Sequence, residues 1–301
     1  MIDQGDCLLI QYEGSIWRPP SEARSLILQA TIGCSHNSCI FCVSYKQKEY
    51  RIRGVEGIHE DLGGLSKHHK NVVRRVFLAD GNALAIPINE MVKILRLLHD
   101  ELPNLERVGV YGYAKDVRNK TIKDLQVIKN AGLGIVYLGL ETGNDELLRW
   151  SGKGIDSSEN ITACSKIRDA GIALSLTIIL GLGGLEKSET HARRTAEVLN
   201  KIDPEYIGAL TLMTPPGTRI FDMVSIGEFV PMKALEILME LKMLVEGLEL
   251  TDCVFRTNHA SNYLALGGHL PEDKTKILAV LNQAIASGDE SHLRPSYSRG
   301  L

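Results

Sequence analysis

The chain has 301 residues, with 34 Lys and Arg against 37 Asp and Glu for a formal net charge of −3, and it is 44% apolar and 24% charged. Such a composition excludes a disordered chain and lacks the basic excess that a nucleic-acid footprint requires, although Lys46, Lys48, Arg51 and Arg53 form a local basic run. No run approaches the ~20 apolar residues of a membrane span, and Met1-Ile2-Asp3-Gln4-Gly5-Asp6 lacks the basic start and apolar stretch of a secretory signal. The expected location is therefore cytoplasmic, where six cysteines are free, metal-bound or catalytic rather than disulfide-linked.

In chain order, residues 1–24 read as an N-terminal extension. An apolar run at 26–30 reads as a buried strand, and β-rich runs follow at 75–79, 107–111, 135–139, 174–180 and 207–212. Most are continuous rather than alternating, as in parallel strands covered on both faces. Amphipathic helical patterns lie between them. Over 89–102, Met91, Ile94, Leu95, Leu98 and Leu102 share one face; 121–130, with Gly132 as its stop signal, repeats the design, and 157–171 and 186–202 repeat it again. Strands recur about every 30 to 40 residues, the length of a βα unit. The expected fold is α/β: a partial (β/α)6 TIM-like barrel over 25–225 with a C-terminal α-rich extension over 226–288. That extension holds a helix at 231–248 with Pro231 in its first turn, a strand at 250–257 and a helix at 271–287. Residues 289–301 read as a mobile tail.

The cysteines carry the chemistry. Cys34, Cys39 and Cys42 fall within nine positions of Gly33-Cys34-Ser35-His36-Asn37-Ser38-Cys39-Ile40-Phe41-Cys42, directly after the first strand. In a βα barrel, chemistry sits at such strand ends. Thiolates select zinc, copper(I) or iron–sulfur clusters. With His36 as fourth ligand the trio suits structural zinc; without it, three thiolates suit an iron–sulfur cube with one iron open. Cys7, Cys164 and Cys253 are scattered, and Cys164 sits in a helical pattern as a small core residue.

The C-x4-C-x2-C run, with Phe41 before its last cysteine, resembles the signature of radical S-adenosylmethionine (SAM) enzymes. The common form there is C-x3-C-x2-C, so the first spacer is one residue longer here. The resemblance extends over roughly 18–290. It implies that Cys34, Cys39 and Cys42 hold a [4Fe–4S] cluster whose fourth iron is chelated by SAM. Reductive cleavage would then give methionine and a 5′-deoxyadenosyl radical that abstracts hydrogen from a substrate. An electron donor such as ferredoxin or flavodoxin is implied too.

The remaining assignments follow the same resemblance. Phe41 would pack near the adenine. The turn of Asp80, Gly81 and Asn82 would receive the methionine amino group. Glu141 would make a polar contact to SAM and Lys153 lie near its carboxylate, as in oxygen-independent coproporphyrinogen oxidase and the methylthiotransferases. Ser175 and Thr177 would reach the ribose, and Gly183, in Gly181-Leu182-Gly183-Gly184, would lie along the adenosine. His36, Asn37 and Ser38 are either tuners of the cluster or folding residues of its loop.

On the substrate side, the polar segment from Arg256 to Tyr263 offers His259 as a proton donor and Tyr263 or Cys253 as a hydrogen-atom donor. The expected substrate is a small molecule. The alternatives are a radical SAM enzyme acting on tRNA or a peptide, and a zinc-stabilised barrel that only binds.

Overall fold

The computed structural model describes residues 10–300. The chain divides into two compact units. The first takes the chain up to Asn37, then Ser44–Tyr137 and Lys166–Ala173; the second takes Ser38–Val43, Leu138–Ser165 and the chain from Leu174 on. Strands β1 (Leu26–Gln29), β4 (Arg75–Ala79), β5 (Arg107–Gly112), β6 (Leu133–Glu141), β7 (Ala173–Leu180), β8 (Tyr206–Thr211), β9 (Cys253–Arg256) and β10 (Gly267–Leu270) follow in that order in a mostly parallel eight-stranded sheet. The two short strands β2 (Thr31–Ile32) and β3 (Arg51–Ile52) form their own ribbon.

In the first unit, β1 pairs in parallel with β4, from Leu26↔Val76 to Gln29↔Ala79, and β4 with β5, from Arg75↔Arg107 to Leu78↔Val110. Val76, Phe77, Leu78 and Ala79 are all wholly buried, which is why the sequence shows a run and not an alternation. Helices α1 (Gly54–Gly63), α2 (Lys67–Val72), α3 (Ile88–Glu101), α4 (Ala114–Arg118) and α5 (Ile122–Asn130) belong to the same unit. The buried stripe of α3 is Met91, Val92, Ile94, Leu95 and Leu98. Thr121 caps α5 and Asp124 reaches back to it, a capping box. One core cluster joins Ile27, Phe77, Ala79, Ile135 and Tyr137, with the Tyr111 ring edge-on to Phe77 at 4.9 Å. Beside it the wholly buried Glu22 accepts from Ser25, Arg107 and Tyr137.

The second unit pairs β7 with β8 and β8 with β9 in parallel, and β9 with β10 antiparallel. Its helices are α6 (Asp145–Trp150), the start of α7 (Ser157–Asp169), α8 (Gly184–Ile202), α9 (Arg219–Ser225), α10 (Ala234–Gly247) and α11 (Lys274–Ser287). Helix α10 packs on α8 closely enough that a Cβ on Gly247 would stand 2.9 Å from the Ala196 methyl.

The α/β class is the expected one, and each of the six expected barrel strands is present within a few residues. The sheet has eight strands rather than six because β9 and β10 extend it. The helix expected from 231 begins at Ala234; Glu236 accepts the Lys233 amide at 2.7 Å and so sets the start three residues beyond Pro231. The expected strand at 250–257 shortens to Cys253–Arg256. Residues of the tail are engaged: Leu293 is buried, and Arg294 and Arg299 donate to backbone carbonyls. Among the described residues no helix is long and apolar enough to cross a membrane.

The local basic run is consumed by its neighbours. Lys46 donates to Asn37 O, Lys48 pairs with Asp80, Arg51 with Glu13, and Arg53 forks onto Asp61 at 2.7 and 3.0 Å.

Candidate functional site

The expected site residues fall on both units, and each group is built by its own elements. In the first unit, β1 and β4 end side by side, and the chain beyond β4 stays laced to the chain beyond β1. The Asp80 amide donates to Thr31 O and Oγ1, both at 3.1 Å, and the Gly81 amide to Gly33 O at 3.1 Å. Asp80 is wholly buried. Its Oδ2 accepts from Lys48 Nζ at 2.8 Å, Gln29 Nε2 at 3.0 Å and the Gly33 amide at 3.1 Å, while Oδ1 has no hydrogen-bond partner. Asn82 is also wholly buried. Its Nδ2 donates to Ser35 Oγ at 2.6 Å and to the Asp116 carboxylate, and its Oδ1 is likewise without a donor.

Gly81 lies between them, and its missing side chain matters. A Cβ there would stand 2.5 Å from Tyr45 Cε2 and 3.0 Å from Cys34 Cβ, so only hydrogen fits. The turn is therefore packed directly against the first cysteine of the motif. Tyr50 lies near that cysteine too. Burial, followed by the charges of Asp116 and Cys34, pushes its phenol up to about 12. His36 packs on Tyr113 with ring centroids 4.7 Å apart, and Asn37, in the left-handed region at φ 42, donates to Tyr45 O at 2.8 Å. Asn37 thus serves the folding of the loop.

In the second unit, Ile40 anchors the far part of the motif: its amide donates to Ser151 O at 3.0 Å and its carbonyl accepts from the Ile220 amide at 3.1 Å. Phe41 packs, with Trp150, Met223 and Phe229, on a core of Ile40, Ile179, Leu182, Leu212 and Ile220. Glu141 ends β6 in the left-handed region at φ 64 and accepts from Lys153 Nζ at 2.8 Å. Both are buried, at 7% exposure each. A Cβ on Gly139 would lie 1.9 Å from Glu141 Oε1 and 3.0 Å from Lys153 Nζ, so glycine makes room for the pair. The structure thus brings together two residues that the sequence only placed in one stretch.

Along β7, Ser175 and Thr177 lie on the half-exposed face, alternating with buried Leu174, Leu176 and Ile178. Past the strand, Gly181 is left-handed at φ 78 and its amide donates to Glu240 Oε1 at 2.7 Å. Gly183 caps α8, where a Cβ would press on Lys187 Cβ at 2.9 Å and Leu147 Cδ1 at 3.1 Å. His191 shares a 2.7 Å hydrogen bond between Nδ1 and Thr142 Oγ1, sets Nε2 3.1 Å from Ile179 O, and stands 3.5 Å from Glu240 Oε1. His191 and Glu240 hold the two strand ends from behind. Sequence reading missed both, because each sits inside an amphipathic pattern and offers no motif.

Of the substrate-side residues, Cys253 lies in β9, wholly buried, with its thiol pushed up to about 12 chiefly by burial. The Tyr263 hydroxyl accepts from Arg299 Nη1 at 2.6 Å, and that guanidinium lies 4.2 Å from the ring centre. His259 is half-buried, with Nδ1 2.9 Å from Ser261 Oγ and accepting from the Ser261 amide at 3.1 Å. Cys164 is wholly buried in α7 and pushed up to about 12 by desolvation, and Cys7 lies outside the described residues. Cys34, Cys39 and Cys42 are half-buried and form no disulfide. Among the described residues no three His, Cys, Asp or Glu side chains are gathered at metal-binding spacing.

The Radical SAM superfamily model matches residues 28–195, more than half of the chain. Over 199 residues the chain is 26% identical to an uncharacterized methyltransferase of Pyrococcus horikoshii, a span covering 65% of this chain and 41% of that one. Over 209 residues it is 25% identical to the 4′-phospho-dehydrooxetanocin synthase of Priestia megaterium, covering 62% and 28%. The chain spans less than half the length of either relative. The solved coproporphyrinogen III oxidase of Escherichia coli, a radical SAM enzyme, superposes with a TM-score of 0.54 at 16% identity, over 74% of this chain and 52% of that one, which speaks for a shared fold. A family match running from the first strand into α8, on a mostly parallel sheet of that kind, makes this chain a member of the radical SAM superfamily, enzymes that work with a [4Fe–4S] cluster and SAM.

Proposed function

We propose that Cys34, Cys39 and Cys42 bind three irons of the [4Fe–4S] cluster, that SAM takes the fourth, and that the enzyme abstracts hydrogen from a small-molecule substrate. The residues present suit both groups. Three half-buried thiols outside any disulfide, although not gathered at metal-binding spacing among the described residues, are by their chemistry the soft donor set of an iron–sulfur cluster. Two buried oxygens without donors, the carboxylate Oδ1 of Asp80 and the amide Oδ1 of Asn82, suit the ammonium of an amino acid.

When bound, the cluster and SAM supply one-electron cleavage of a sulfonium carbon–sulfur bond and hydrogen-atom abstraction from carbon. The protein orients and shields. Lys48 holds the Asp80 carboxylate by Oδ2 and leaves Oδ1 for the methionine amino group. Glu141 fixes the Lys153 ammonium, which serves the SAM carboxylate. Ser175 and Thr177 serve the ribose, the Gly181–Gly184 turn the adenosine, and Phe41 the adenine. His259 and Tyr263 face the substrate, while Cys253 stays in the core. The electron comes from an external donor of the ferredoxin or flavodoxin class. Modification of tRNA has less support, since the local basic run is spent on internal partners.

The observation that supports this reading is the packing of Gly81 against Cys34, which sets the turn of Asp80, Gly81 and Asn82 beside the first cysteine of the motif. The test is anaerobic reconstitution. Brown protein with about four irons per chain should release 5′-deoxyadenosine from SAM under dithionite, and Cys39→Ala should lose both iron and release. Colourless protein that holds zinc and leaves SAM intact would overturn the reading.

A further inference from the structure

The loop after β9 and the chain's last residues form one assembly in the second unit, at the C-terminal ends of the parallel strands β8 and β9. The loop is pinned to β8 from below: Ser261 Oγ accepts from the Thr211 amide at 3.1 Å, and Asn262 Nδ2 donates to Ala209 O at 2.7 Å and Thr257 O at 2.8 Å. Two arginines of the tail fasten it from above. Arg299 donates to Ser261 O at 2.6 Å, Tyr263 Oη at 2.6 Å and Leu212 O at 3.0 Å. Arg294 donates through its amide to Tyr263 O at 2.8 Å and, in its side chain, through Nη1 alone, to His259 O, Ala260 O and Asn262 O at 3.1, 2.7 and 3.2 Å.

Neither arginine meets a carboxylate among the described residues, although elsewhere Arg53 forks onto Asp61 and the buried Lys48 and Lys153 each have an acid. The pair is electrostatically uncomfortable. Burial foremost lowers the Arg299 guanidinium from its ordinary value, and the Arg294 charge lowers it further against the opposing effect of Tyr263. Two like charges that feel each other, both half-buried, are costly until an anion joins them. Donors for that anion are at hand. Nε and Nη2 of Arg294 make no hydrogen bond among the described residues. His259 accepts at Nδ1, so its neutral ring carries its proton on Nε2; burial, then Arg294, lowers its pKa and favours that neutral form.

We propose that Arg294, Arg299 and His259 form an oxyanion site that receives a carboxylate or phosphate of the substrate. This rests on the radical SAM reading, to which it adds a substrate class: a small molecule with an anionic group, held at the strand ends where that fold keeps its chemistry. Arg294 supplies its two unused nitrogens, His259 a neutral donor, and Arg299 a second positive charge.

The test uses the full chain without iron or SAM, at low salt, titrated calorimetrically with inorganic phosphate and separately with acetate. Saturable binding of at least one is expected, weakened about tenfold or more by Arg294→Gln. It should be unchanged by Arg193→Gln, which alters an exposed arginine paired with Glu189. Tighter phosphate marks a phosphorylated substrate and tighter acetate a carboxylate. Saturable binding of neither, or binding indifferent to Arg294→Gln, overturns the proposal. Should that variant fail to fold, the native chain decides: phosphate or acetate must raise its melting temperature beyond sodium chloride at equal ionic strength, and equal shifts overturn the site. These readouts need no cluster, so they fail independently of 5′-deoxyadenosine release.

Discussion

Cysteines of one chemistry end in two environments. Cys34, Cys39 and Cys42 are half-buried, whereas Cys164 and Cys253 are wholly buried with thiols pushed up to about 12. Only the thiolate attacks an alkylating agent, and at pH 8 a pKa of about 12 leaves roughly one thiol in ten thousand ionised. Iodoacetamide should therefore label the three motif cysteines of the native cluster-free chain and spare the other two, as read by peptide mass spectrometry; comparable labelling of Cys253 would contradict its burial. Cys164 was legible as a core residue from its helical pattern. Cys253 was not, because it borders a polar segment in sequence, and pairing of its strand with β8 and β10 takes it inside. The partnership of Lys48 with Asp80 was equally hidden, since 32 residues separate them and no local spacing announces it.

Between elements, the informative contacts are the polar ones inside apolar faces. Helix α10 was read from its apolar residues, and Ile237, Leu238, Leu241 and Leu244 are indeed buried. Glu240 is buried among them and accepts the Gly181 amide where β7 has ended. A hydropathy pattern registers such a residue as noise, because its meaning lies in another element. Glu240→Ala strands a buried amide and should cost about 1–3 kcal/mol in urea unfolding, while Glu240→Gln keeps an acceptor and should cost clearly less. Equal losses would show that the volume of the side chain, not its oxygen, is what counts. Short elements were the hardest to foresee. The two residues of β3 and the Gly-Gly-His-Leu of β10 are too brief or too poor in apolar residues to stand out.

For the molecule as a whole, class and strand order were readable because buried parallel strands leave unbroken apolar runs in the sequence. The cradle that carries the motif was not. Residues 33–50 leave and return through the β2–β3 ribbon, with Thr31 opposite Ile52 and Ile32 opposite Arg51. Within the first unit Asp80 clamps both feet of the loop, through the Gly33 amide and Lys48. None of these bonds involves the sulfur of a motif cysteine. Stripping iron with a chelator should therefore leave the far-ultraviolet circular dichroism and the urea midpoint nearly unchanged, in contrast to zinc fingers, which unfold without their ion. A large loss of ellipticity would show that iron holds the fold. Oxygen damage then becomes an event confined to inorganic chemistry: a bleached enzyme still has its scaffold, and resupply of iron and sulfide restores it without a new round of folding.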